Sequence, residues 1–229
     1  MNPLKNLRTH LATLVSPDSW HTLGHYVGFK THNKKSTIES ADDLVEFISS
    51  RASHVTQTSL YGYLRTRAGT RFPELFENPD ILISINLAKW HIWLACVSDL
   101  CIFIGQIMYQ SGRVKPTEIE LLMSPMLDFV LQATEVPPEA GGDFESAAEK
   151  ERQRIKNCDW SIELDDDSIF SASPSALYYW SPIADELKER DEIIVRNSIR
   201  FRWIEVRRST RQQLNIESIF LNQSSPQTV

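Results

Sequence analysis

The sequence predicts an all-α, single-domain bundle, and three observations carry that prediction. The stretch Ile81–Tyr109 is almost continuously apolar and far longer than a strand. The segments from Ser40 to Gly69 and from Ile183 to about Leu214 repeat apolar side chains at helical spacing. No segment alternates apolar and polar residues as a half-buried strand does, and no internal repeat is visible. The expected architecture is about five to seven helices around a central apolar helix at about 80–110 and a long C-terminal helix at about 183–214. Residues 1–35 read as a basic amphipathic N-terminal segment, 36–221 as the helical domain, and 222–229 as a disordered tail.

The chain of 229 residues, with 41% hydrophobic and 24% charged residues, can bury a core without a metal or a disulfide. Its three cysteines have no paired spacing, and Cys96 and Cys101 lie within the apolar run. They read as small buried hydrophobes in a reducing compartment, so the expected location is the cytoplasm. A net charge of −6 argues against a nucleic-acid binder. The charge is uneven: residues 1–35 hold five Lys/Arg and one acid, Asp18; the region 139–168 is acid-rich; the last helix is basic again. Such asymmetry would orient the molecule on an anionic membrane surface; it also arises from solvated faces of separate helices. The N-terminal MNPLKNLRTHLATLV has spaced rather than continuous apolar residues, unlike a secretory signal.

Along the chain, Leu4, Leu7, Leu11 and Leu14 share one face of an amphipathic helix over Leu4–Val15. Ser16-Pro17 opens a short turn of helix ending near Gly28, and KTHNKKS is a loop. Ser40 caps the next helix, which Gly62 weakens before it ends near Gly69. Asn78-Pro79-Asp80 starts the apolar helix, and Ser111-Gly112 stops it. Pro116-Thr117-Glu118 starts a fourth helix that Pro125 kinks, and VPPEAGGDF is a loop. Asp143–Cys158 forms a short charged helix; IELDDDSIFSAS is acidic and irregular; Ser173-Pro174 begins a final helical region that Pro182 divides.

The apolar stretch is long enough to cross a membrane, but Asp99 falls near the middle of Trp90–Tyr109. A central aspartate costs about 2.5–3.5 kcal/mol on insertion, and a lone span has no partner to satisfy His91, Ser98 and Gln106. A soluble core helix is therefore the expectation. On a helical wheel, Ala88, Ala95, Asp99 and Gln106 share one side, with His91, Ser98 and Gly105 beside them. A buried carboxylate needs a cation, and the arginines of other helices are the expected supply, the last helix among them with a charged line that faces either solvent or such a carboxylate. That helix has two apolar stripes with Glu189, Arg196, Arg200 and Arg207 between them. The candidate ligand-binding set is thus His91, Ser98, Asp99, Arg196, Arg200 and Arg207, an anion-binding groove. The competing reading is helical ion pairing such as Glu192 to Arg196 on a solvated face.

His21 and His25 are one turn apart, but no third ligand follows at a diagnostic spacing, so neither a metal nor a cofactor is expected. A Glu-x-x-His pair, a GxSxG elbow, a phosphate-binding loop and a GxGxxG turn are all missing. Tyr61, Tyr63, Arg65, Arg67 and Arg71 resemble a nucleic-acid surface, yet arginines at a helix end also complement its dipole. The strings RASHVTQTSLYGYLRTRAGTRFPELFENPD, SINLAKWHIWLACVSDLCIF and SPIADELKERDEIIVRNSIRFRWIEVRR resemble a family of mostly proteobacterial helical proteins, over about residues 40–215. Members are sometimes labelled esterase, which implies hydrolysis of small esters. A serine hydrolase here would have to assemble its triad spatially, for example from Ser53 or Ser98, His54 or His91, and Asp99. The expected function is a cytoplasmic helical binding or adaptor protein, with a protein partner or an anionic membrane surface. The alternatives are an ester hydrolase and a binder of a small anion.

Overall fold

The computed structural model describes residues 37–223. The readings made for Leu4–Val15, the 16–36 region, His21, His25 and Ser224–Val229 lie outside the described residues. In chain order the helices are α1 (Ala41–Ala68), α2 (Pro79–Gln110), α3 (Pro116–Met123), α4 (Met126–Thr134), α5 (Phe144–Lys156), α6 (Asp166–Ile169), α7 (Ala172–Trp180), α8 (Asp185–Gln213) and α9 (Ile216–Gln223). Two 3₁₀ segments, Gly69–Phe76 and Pro138–Ala140, connect them. The protein is all-α, as expected. Among the described residues the one piece of β pairing is an isolated parallel bridge, Ile38 to Leu214. Ile38 N–H donates to the Gln213 carbonyl and Asn215 N–H donates back to Ile38, so the entry to α1 is tied to the α8–α9 junction.

Local chemistry sets the helix starts. Ser40 Oγ accepts from Asp43 N–H at 3.1 Å, and Asp43 accepts from Glu39 N–H at 3.0 Å. Asn78 Oδ1 accepts from the amides of Asp80 and Ile81, with Pro79 at the first helical position. Glu118 accepts from Lys115 N–H at 2.9 Å at the start of α3. Pro125 does more than kink the expected fourth helix: α3 ends at Met123 and α4 starts at Met126, because proline has no N–H to continue the ladder. Two other boundaries differ from expectation. The acidic segment holds a turn of helix, α6, capped by Asp165 on Ser168 N–H at 2.7 Å. A separate helix, α9, follows α8 and runs through Gln223.

Helix α2 is the centre of the bundle. Every residue from Trp90 to Gln106 is buried. It is long and apolar enough to cross a membrane, but 89% of its most apolar window is buried inside the protein. Helices α1, α5 and α7 form its closest shell, while α8 packs chiefly on α7 and α1 as a further layer. The α1–α8 seam is fixed by Asp191, which is 7% exposed. It accepts from Tyr63 Oη at 3.0 Å and from both ends of the Arg67 guanidinium fork. Gly105 serves a packing purpose: a Cβ there would run into the indole of Trp160.

Two glycines should therefore respond oppositely to alanine. Gly105→Ala should cost about 1–3 kcal/mol by forcing Trp160 out of place. Gly62→Ala, with nothing within 4 Å of the added carbon, should stabilise by about 0.5–1 kcal/mol. Urea unfolding followed by helical circular dichroism reads both.

Candidate functional site

The six positions proposed from the sequence lie on α2 or α8 as expected, but they do not meet in one place. Asp99 is fully buried. Its carboxylate accepts from the amides of Ala172 and Ser173, at 3.2 and 2.9 Å, at the start of α7. It therefore caps a neighbouring helix, satisfying orphan N–H groups and facing the positive end of the helix dipole. Its counter-charge is Arg154 of α5, Nη1 to Oδ1 at 2.8 Å. An arginine of another helix is what the sequence predicts, and the structure supplies it from α5 rather than from α8. Helix α8 is a layer further out, behind α7, and Arg154 reaches the carboxylate first.

Arg154 closes a larger polar cluster. It donates to Ser98 Oγ at 2.8 Å, to the Ile169 carbonyl at 2.7 Å and to Ser171 Oγ at 3.2 Å. Ser173 Oγ in turn accepts from Trp203 Nε1 at 3.0 Å, which joins α8 to the cluster. Burial pushes the Asp99 pKa up to about 6, against the opposing pull of Arg154 and the Ser173 and Ala172 donors. Ser98 thus accepts from the same guanidinium nitrogen that pairs with Asp99.

His91 serves the other end of α7. Its ring stacks on Trp180 at 3.7 Å and 9°, and meets the edge of Phe144 at 5.8 Å. Burial lowers its pKa, opposed by Asp143, which favours the neutral imidazole. Its Nε2 is buried with no hydrogen-bond partner among the described residues. Asp99 grips Ala172–Ser173 and His91 grips Trp180, so α7 runs antiparallel to α2 and is pinned at both ends. Gln106 continues the series, accepting from Leu164 N–H at 3.0 Å and donating to the Ile162 carbonyl at 3.2 Å. The polar stripe of α2 is thus a row of attachment points for residues 162–180.

The three arginines of α8 are also engaged. Arg196 pairs with Glu192 at 2.8 Å, donates to Ser175 Oγ at 3.0 Å and lies over the Tyr178 ring. Arg200 faces Asp167 at 3.6 Å, and Arg207 pairs with Asp166. Arg200 and Arg207 do share an open depression of about 330 Å³, floored by Phe170 and Trp203 and edged by Phe201 and Ile204. Asp166 and Asp167 line the same depression, so its arginines meet carboxylates of their own chain. The acidic run DDD, read as irregular, supplies those partners. No group of His, Cys, Asp and Glu with metal-binding geometry occurs among the described residues.

Sequence reasoning missed two features. Arg154 sits in the charged run KERQRIK, where nothing marks one cation as turned inward. The second is the outward face of α8. Its buried side is Asp191, Val195, Ile199, Trp203, Val206 and Thr210. Opposite this side, Ile193, Ile194, Phe201 and Ile204 are 76%, 71%, 69% and 50% exposed. Ile194 and Phe201, seven residues apart, belong to one apolar stripe of the helix, and that stripe points to solvent.

Removing one partner of the buried pair should be costly: Asp99→Asn and Arg154→Met are each expected to lose about 3–5 kcal/mol in urea unfolding. Because the folded-state pKa of Asp99 is raised to about 6, the folded chain keeps a proton there that the unfolded chain has released above about pH 4. This group's contribution is therefore largest at acid pH and falls as pH rises through that window. The stability gap between wild type and Asp99→Asn should narrow from pH 4.5 to pH 7. His91→Phe, which keeps the stack on Trp180, should stay within about 1.5 kcal/mol of wild type. In comparisons with known proteins, no family model, curated protein or solved structure matches this chain.

Proposed function

We propose that this chain is a helical binding or adaptor protein that docks other protein surfaces through the outward face of α8. The observation that carries the reading is the row of large apolar side chains on that face. Helices of this length bury one face and turn charge to the other. Here the outer face carries Ile193, Ile194, Phe201 and Ile204 in a line, and contiguous exposed apolar surface marks interaction sites. The polar interior supports the same reading from the other side. His91 and Asp99 engage opposite ends of α7, Ser98 is held by Arg154, and the α8 arginines are paired. A hydrolase needs a nucleophile and base in reach of each other and of substrate, and these residues are committed to packing.

Replacing Phe201 with p-benzoylphenylalanine and irradiating intact cells should give a discrete cross-linked species. The same label at exposed Glu74, on the 3₁₀ segment after α1, should not. A flat result at Phe201 would sink the docking reading. The purified protein should show p-nitrophenyl ester turnover no faster than a heat-killed control, and His91→Phe should leave that rate unchanged. Saturable turnover lost in His91→Phe would replace the adaptor reading with the hydrolase one.

A further inference from the structure

The outward face of α8 is apolar in its middle and oppositely charged at its two ends. Between Asp185 and Glu192 the helix carries five acids and two bases; between Arg196 and Arg211 it carries six arginines and one acid. Several of these are engaged within the chain: Asp191 with Arg67, Arg200 with Asp167, and Arg207 with Asp166. Glu186, Glu189 and Arg190 remain exposed at one end, and Arg202, Arg208 and Arg211 at the other. Arg208 has a same-helix neighbour in Glu205, and both side chains are about two-thirds exposed at 66% and 69%.

We propose that this face pairs antiparallel with the same face of a second copy of the chain, on a two-fold axis beside Asn197. The proposal rests on the reading of the face as a docking surface and names its occupant. A parallel pair would set arginine against arginine along half its length. An antiparallel pair brings each acidic end against a basic end, which is the complementarity that orients helix pairs. With the axis at Asn197, Ile193 lies across from the partner copy's Phe201, and Arg190 across from its Ile204. Glu186 then lies across from Arg208, once on each side of the axis, as a two-fold interface requires.

The depression beside Phe201 fits this arrangement. It opens next to Asn197, Phe201 and Ile204, is floored by Phe170 and Trp203, and has its arginines neutralised by Asp166 and Asp167. An apolar side chain from outside enters such a site without stranding a charge, whereas an anion would have to displace two carboxylates. Ile193, at 76% exposed, lies on the side of α8 that faces the same depression in the second copy.

The full chain should run as a dimer by size-exclusion chromatography with light scattering at micromolar concentration, and Ile194→Asp should run as a monomer with unchanged helical content. Glu186→Arg and Arg208→Glu should each weaken the dimer about tenfold, and the two together should restore it. p-Benzoylphenylalanine at Phe201 should yield a species of twice the chain mass, cross-linked near Ile193 of the other copy. A monomeric wild type, or failure of the double charge reversal to restore pairing, overturns the proposal. So does a cross-link to residues 1–35 of the same chain, which would make that segment the occupant. If the purified chain is monomeric but the label captures a different protein in cells, self-pairing fails and the docking reading stands. If neither adduct forms, both fail.

Discussion

The buried carboxylate of Asp99 is the interaction on which the architecture turns. A charge with no exposure in the middle of an apolar helix is intolerable unless every lone pair is used. Here one guanidinium and two backbone amides converge on it. The donors come from two separate parts of the chain, Arg154 from α5 and the amides from the first turn of α7. The charge thus specifies where α5 and α7 must stand against α2. Apolar packing alone would allow those helices to slide by a turn at little cost, whereas a misplaced carboxylate leaves a buried charge unpaired.

The other polar groups of α2 extend the same logic along its length. His91 fixes the far end of α7 through Trp180, Ser98 shares Arg154, and Gln106 holds the backbone of the acidic segment at Ile162 and Leu164. Between them they organise residues 157–180, of which 157–165 carry no helix. The acidic run then supplies Asp166 and Asp167 to Arg207 and Arg200 of α8. Order propagates outward, from a polar stripe on the central helix, through an otherwise weak segment, to the outermost helix. That helix is left with one face buried and its opposite face apolar and open.

This arrangement separates architecture from function. Of the residues that look chemical in the sequence, His91, Ser98 and Asp99 are buried and engaged in holding neighbouring segments. The residues that look like core, Ile193, Ile194, Phe201 and Ile204, are the ones in contact with solvent. A surface of this kind gains free energy by burying apolar area against another surface, and the charge gradient along α8 adds direction to that association.

The sequence by itself determined the helical class and most helix starts. These depend on spacing and on neighbours a few residues away: Ser40 with Asp43, Asn78 with Pro79, and the apolar period of α1 and α2. It also determined that α2 belongs in a core, because Asp99 at its centre is too costly for lipid. Only the tertiary structure decided which cation meets Asp99. The seven arginines on α8 and Arg154 on α5 are equivalent as charges, and the choice follows from layering, with α7 standing between α8 and the carboxylate. It also decided which stripe of α8 is buried. Both of its stripes satisfy the same helical period, and the buried one is selected by long-range partners, Tyr63 and Arg67 on Asp191 and Ser173 on Trp203. Periodicity fixes how many faces a helix has; contact between distant segments fixes which of them meets water.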